Sequence, residues 1–169
     1  RIESKLFKMQ TRLFPGLTSN YRVKIREGRH RRNKEIIFDH DKHTAVLIDH
    51  IKNEEKKLEI HGDLFDPLSS LYYVRRLNIE VGKSVFIDIL DNKKIWNVEV
   101  QILKKERIET KLGNFDTVVI KPIMKSEGIF NRKGDMYIWL TDDEKHIPVK
   151  MQTKVAVGAI TATLSGGNY

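Results

Sequence analysis

Along most of this chain, apolar and polar residues alternate with a period of two. Tyr21, Val23 and Ile25 fall on one side of an extended segment and Arg22, Lys24 and Arg26 on the other, which predicts a half-buried strand over Tyr21 to Glu27. Gly28 punctuates it. An extended pattern resumes from His30 and closes on Ile36, Ile37 and Phe38. Asp39-His40-Asp41 then reads as a turn, and Thr44 to Asp49 as a third short strand. Asn53 to Lys57 is expected as a charged loop or turn, and Leu58 to His61 is only weakly strand-like.

The rhythm breaks at DPLSSLYYVRRL. Asp66 can cap a helix by accepting from backbone N–H groups, and Pro67 suits the first helical position. Leu68, Leu71 and Tyr72 form an apolar stripe at helical spacing, so a short helix is expected near residues 66–76. After Gly82 the alternation returns. Val85, Ile87 and Ile89 lead into the turn Asp91-Asn92-Lys93-Lys94. Trp96, Val98, Val100 and Ile102 come back against Asn97, Glu99 and Gln101. Gly113-Asn114 turns the chain into Phe115 to Lys121, and Gly134 also suits a turn. Met136 to Leu140 is apolar on both faces, as a central strand is. Val149, Met151, Thr153 and Val155 alternate with Lys150, Gln152 and Lys154. A last strand from Gly158 is expected to turn Ile160, Ala162 and Leu164 inward.

These segments number about ten to twelve strands, joined by turns too short for parallel crossovers. The fold class is all-β: a strongly curved antiparallel meander, or a partly open β-barrel, with one short helix. No repeat or linker divides residues 1–169, which read as a single β-rich domain.

Charge sharpens the picture. Residues 22–34 carry seven cations and one acid, Glu27, so +6 of the chain's +8 is concentrated there. The positive field is therefore a local patch. No run approaches the roughly 20 apolar residues of a membrane-spanning helix. The opening Arg1-Ile2-Glu3 does not resemble a signal peptide. The absence of cysteine excludes disulfides, thiolate nucleophiles and Cys-ligated metal centres, and fits cytosol and periplasm equally.

Four segments together resemble a family of bacterial envelope proteins catalogued as domain of unknown function 3108. They are REGRHRRNKEIIFD, DPLSSLYYVRRL, VGKSVFIDILDNKKIWNVEVQILKKERIETKLGNFDTVVIKP and GIFNRKGDMYIWLTDDEKHIPVKMQTKVAVGAITATL, in consistent order over most of the chain. The resemblance implies a secreted or periplasmic β-rich protein, and no catalytic residue is carried over from it. It also implies further strands ahead of Arg1. On that reading the chain is the C-terminal two-thirds or more of a larger domain, and an unpaired sheet edge would invite a strand from another chain.

Candidate chemistry is thin. In DHDKH, Asp39, Asp41 and His43 can share a face of an extended chain while His40 points away; a solvated turn is the simpler account, and no metal site is assigned. Asp142, Asp143 and Glu144 crowd one turn, whereas catalytic carboxylate pairs converge across a cleft. Ser69 and Ser70 lie in the helix with no base indicated. No phosphate-binding glycine loop is present, and no cofactor or enzymatic activity is expected.

Two groups of residues remain. Arg22, Lys24, Arg26, Arg29, Arg31 and Arg32 are candidate binders of an anionic ligand, a phosphate-bearing lipid or acidic glycan. The plainer alternative is a solvated sheet face whose cations guard an edge. Nucleic acid is disfavoured because only Tyr21 lies nearby to stack on a base. Phe86, Trp96, Phe115, Tyr137 and Trp139 either line a lumen or fill the core. The expected function is a non-enzymatic envelope scaffold that binds an amphipathic or anionic component or a protein partner. The alternative is an assembly module docking another chain at a sheet edge.

Overall fold

Antiparallel pairing organises the chain. The computed structural model describes residues 6–13, 17–27, 29–124, 135–154 and 158–167. Gly28, Gly134 and Val155, to which turns and an inward position were assigned, lie outside them. The first strands are β1 (Leu6–Leu13), β2 (Thr18–Glu27), β3 (His30–Asp39), β4 (Thr44–Asp49) and β5 (Glu54–Glu59). Helix α1 (Ser69–Val74) follows. Then come β6 (Ser84–Asp91), β7 (Lys94–Thr110), β8 (Gly113–Met124), β9 (Met136–Thr141), β10 (Pro148–Lys154) and β11 (Ala159–Thr163). Spatial order follows chain order in two open sheets, β1-β2-β3-β4-β5 and β11-β10-β9-β8-β7-β6. The expected antiparallel meander is therefore present, laid out as open sheets and not as a closed barrel.

The described residues form two compact units, one of residues 1–71 with 88–95 and the other of residues 72–87 with 96–169. In the first, Tyr21 and Val23 of β2, Ile36 and Phe38 of β3, and Ala45 and Leu47 of β4 form a buried cluster with Ile60, Leu64 and Leu90. In the second, Val119, Trp139, Ile147 and Val149 are buried together, with Ile108, Phe115, Tyr137 and Leu164 packed against them. β9 is an interior strand between β8 and β10, and its apolar character on both faces follows. Asn92 and Lys93 join β6 to β7 with φ of 48° and 72°, the doubly positive pair of a type I′ hairpin turn.

Two expectations are corrected and one strand is added. Asn53 to Lys57 is no loop: β5 runs Glu54–Glu59 and pairs with β4 from Asp49↔Glu54 to Thr44↔Glu59. Apart from half-buried Leu58 its side chains are exposed, so it carries no alternation; the backbone ladder alone makes it a strand, and its Glu and Lys residues guard the edge. β1 also escaped the sequence reading, although it pairs with β2 from Leu6↔Arg26 to Leu13↔Thr18. Ile160 and Ala162 do not turn inward. All five residues of β11 are exposed because it is an edge strand, and only Leu164 just beyond it reaches the core.

The helix begins as its residues require. Asp66 Oδ1 accepts from the backbone N–H of Leu68 at 2.8 Å and of Ser69 at 3.1 Å. Ser69 Oγ in turn accepts from Asp66 N at 2.9 Å, a reciprocal cap. The Thr18 hydroxyl donates to Asp66 Oδ2 at 2.9 Å and lies within hydrogen-bond reach of Ser69 Oγ, which ties the start of β2 to the cap. Thr18, Asp66 and Ser69 are all buried, so each lost partner would leave a polar atom stranded. Asp66→Ala should destabilise the first unit by about 2–4 kcal/mol, the cap plus an orphaned hydroxyl. Thr18→Val should cost about 1–2 kcal/mol, and the double variant less than the sum because both act on one network. Urea unfolding followed by circular dichroism measures all three.

Candidate functional site

The register of β2 against β3 decides where the basic residues go. Directly opposed residues share a face, and the pairs run Tyr21↔Ile36, Arg22↔Glu35, Val23↔Lys34, Lys24↔Asn33, Ile25↔Arg32 and Arg26↔Arg31. Arg22, Lys24, Arg26 and Arg31 therefore lie together on the outer face of the five-stranded sheet. Arg29 is exposed in the intervening turn. Arg32 falls on the opposite face with Tyr21, Val23 and Ile36. The six candidate cations are thus divided, four on one face, one at the tip and one on the core side.

Towards the middle of the outer face the charge is neutralised. Glu35 accepts from Asn20 Nδ2 at 2.7 Å, meets His50 Nε2 at 2.7 Å and faces Arg22 at 3.7 Å. Arg22 Nη2 also donates to Asn33 Oδ1 at 3.3 Å. Burial raises the Glu35 pKa, but the Asn20 and His50 hydrogen bonds and the Arg22 charge outweigh it and hold the carboxyl below the usual range. Arg26 stands directly across from Arg31, with Lys24 on the same face two residues along.

On the core-side face, Arg32 donates to Asp91 Oδ1 at 3.3 Å, while its Nε is buried with no hydrogen-bond partner among the described residues. Lys34 donates to Asn92 Oδ1 at 2.7 Å and lies 4.0 Å from Asp49. Burial, followed by the neighbouring Arg32 charge, pulls the Lys34 pKa below the ordinary lysine value, with Asp49 opposing. Burial, then the charges of Asp91 and Asp66, pushes the Tyr21 hydroxyl above its usual range, against Arg32. Tyr21, Arg32, Lys34, Asp49, Asp91 and Asn92 line a pocket of about 30 Å³. That is room for a water or two. Sequence reasoning assigned Arg32 to the exposed cluster because neighbouring positions on β3 were read without their register. No signal in the chain pointed to its partner Asp91, 59 positions away.

The aromatic candidates separate too. Phe86 is 54% exposed, on the side of β6 opposite to Ile87 and Ile89, and Trp96 is half-buried. Phe115, Tyr137 and Trp139 pack in the core of the second unit. The acids of the β9–β10 turn do not converge. Asp142 pairs with Lys105 at 2.8 Å, and Asp143 accepts from Thr141, Lys145 N and His146 N. In DHDKH, Asp39 is held by Lys42 at 2.7 Å. His40 turns to the Thr18 carbonyl at 2.7 Å and stacks on Phe38, and His43 is exposed. Ser69 is committed to the helix cap and Ser70 donates to the Pro67 carbonyl.

A family model described as Protein of unknown function (DUF3108) matches residues 15–165. The chain belongs to this family. The matched span holds β2 to β11, and with them every candidate residue above. No curated protein and no solved structure matches the chain. Among the described residues no helix is long and apolar enough to cross a membrane, which leaves strands unaddressed.

The Glu35 cluster makes a pH prediction. Its folded pKa lies below the unfolded value of about 4.3. Its contribution is therefore complete above that value and is lost as pH falls through the folded pKa. The stability advantage of the wild type over Glu35→Gln should be constant near neutrality and shrink as pH drops below about 4. Parallel urea titrations across that range give the difference directly.

Proposed function

We propose that this protein is a non-enzymatic scaffold of the bacterial envelope, periplasmic or secreted, that binds an anionic envelope component. The ligand's phosphate or carboxylate would sit on the outer face of the five-stranded sheet near the β2–β3 turn. The observation that carries this reading is the register that places Lys24, Arg26 and Arg31 together on one face. An anion on this face gains charge-assisted hydrogen bonds from guanidinium and ammonium donors. Lys24 on the same face and Arg29 in the exposed turn extend the positive field. The compartment rests on the resemblance of the four quoted segments to envelope proteins. The non-enzymatic reading is supported by the acids of the β9–β10 turn, engaged by Lys105, Thr141 and backbone N–H groups instead of facing a shared cleft.

A second reading, docking of a protein strand, is favoured by one feature. β11 has no charged residue and lies at a sheet edge, with Ile160 66% exposed. Such an edge lacks the charges that deter strand addition.

Co-sedimentation with vesicles of phosphatidylcholine alone, or with phosphatidylglycerol added, tests the first reading alongside binding to an acidic polysaccharide. The protein should prefer an anionic partner and lose it at high salt. Arg26→Ser with Arg31→Ser should weaken that binding about 10- to 100-fold, two charge-assisted contacts being lost. Equal binding to neutral and anionic partners, or an unaffected double variant, would remove the proposal.

A further inference from the structure

We infer that the second unit carries a separate binding face for an acidic saccharide, built from lysines seated on an aromatic pair of the six-stranded sheet. The face is assembled by register. Trp139 stands opposite Lys150, and Tyr137 opposite Gln152. On the far side of β10, Lys150 stands opposite Thr163 and Gln152 opposite Thr161. Lys121 of β8 and Lys154 of β10 flank Tyr137. Neighbouring strands lie about 4.8 Å apart, so β8 to β11 present a strip roughly 15 Å across, broad enough for a short saccharide chain.

Three ammonium groups converge there. Lys150 Nζ lies 4.3 Å from the Trp139 ring centroid, and Lys121 and Lys154 Nζ lie 5.5 and 5.6 Å from that of Tyr137. The two rings are 6.3 Å apart. Lys121 is neutralised by Asp135 at 3.0 Å. Lys150 and Lys154 have no ion pair among the described residues, and Glu106 and Asp135 feel them only at longer range. Seating on a ring holds an ammonium in place while leaving its N–H donors available to another acceptor. Between them Gln152 Nε2 donates to Thr161 Oγ1 at 3.1 Å, which adds neutral groups suited to hydroxyls.

The geometry favours a saccharide over a nucleic acid. Trp139 is only 7% exposed, with the Lys150 ammonium over its ring, its Nε1 committed to Glu106 Oε1 at 2.6 Å. It has no open face for a base to stack on. This face is independent of the proposed arginine site, being formed entirely within the other unit.

Fluorescence provides the test, since the chain has only two tryptophans and Trp96→Phe leaves Trp139 as the sole reporter. Titrations of this variant would use oligogalacturonate, glucose 1-phosphate, a neutral maltooligosaccharide, inorganic phosphate and single-stranded DNA. Either acidic sugar should perturb Trp139 emission and bind at least tenfold more tightly than the neutral sugar; which of the two does so separates carboxylate from phosphate recognition. Lys150→Gln with Lys154→Gln should weaken this binding about tenfold or more, and Lys150→Arg should retain it. Lys154→Gln alone changes an exposed position and keeps the test decisive if the double variant misfolds. Arg26→Ser with Arg31→Ser should leave the signal intact. Binding of the neutral sugar or inorganic phosphate as tight as that of the acidic sugars, tighter binding of DNA, or unaltered binding by the lysine-to-glutamine variants would overturn the inference.

Discussion

The register of β2 against β3 is the constraint on which the rest of the first unit depends. One pairing buries Tyr21, Val23, Ile36 and Phe38 and simultaneously sets Arg26 across from Arg31 on the outside. Side chains alternate strictly along a strand, so a slip by a single residue would bring arginines to the core face and tyrosine to solvent. Burial of four large apolar side chains thus sets, as a by-product, two arginines opposite one another on the outer face. The core and the candidate binding face are two sides of one hydrogen-bonded ladder.

The same logic explains why the charges near the core are handled differently. On the outer face, Arg26 and Arg31 are exposed and water screens their charges. On the inner face Arg32 is largely removed from water, its side chain 23% exposed, and it is matched by Asp91. Leaving such a charge unmatched would be far more costly than any surface pair. The helix cap obeys this rule with neutral groups: Asp66, Thr18 and Ser69 are buried and satisfy one another. Polar groups in this protein are thus either solvated or bonded, with the Arg32 Nε the one orphaned side-chain atom among the described residues.

The second unit applies the alternation to aromatics. Tyr137 and Trp139, two apart on β9, share a face and meet lysines from the strands on either side. Trp139 also packs against Val119 and Val149. A ring that belongs to the core at one edge and supports an ammonium at the other need not be classed as lumen or filler. The two readings of the aromatics in the sequence were alternatives only as long as their neighbours were unknown.

The amino-acid sequence by itself determined the strands with apolar alternation, the helix start at Asp66 and the two-residue turn at Asn92 and Lys93. Each is a local preference, written in residues a few positions apart. It could not disclose β5, whose EEKKLE carries no alternation and becomes a strand only through the ladder of β4. Nor could it reveal that Arg31 and Arg32, adjacent in the chain, part to opposite faces with different partners, or that Lys121, Lys150 and Lys154 gather on one pair of rings. Those outcomes depend on which strands become neighbours and in what register. Only the closing of long-range backbone hydrogen bonds around a buried core decides that.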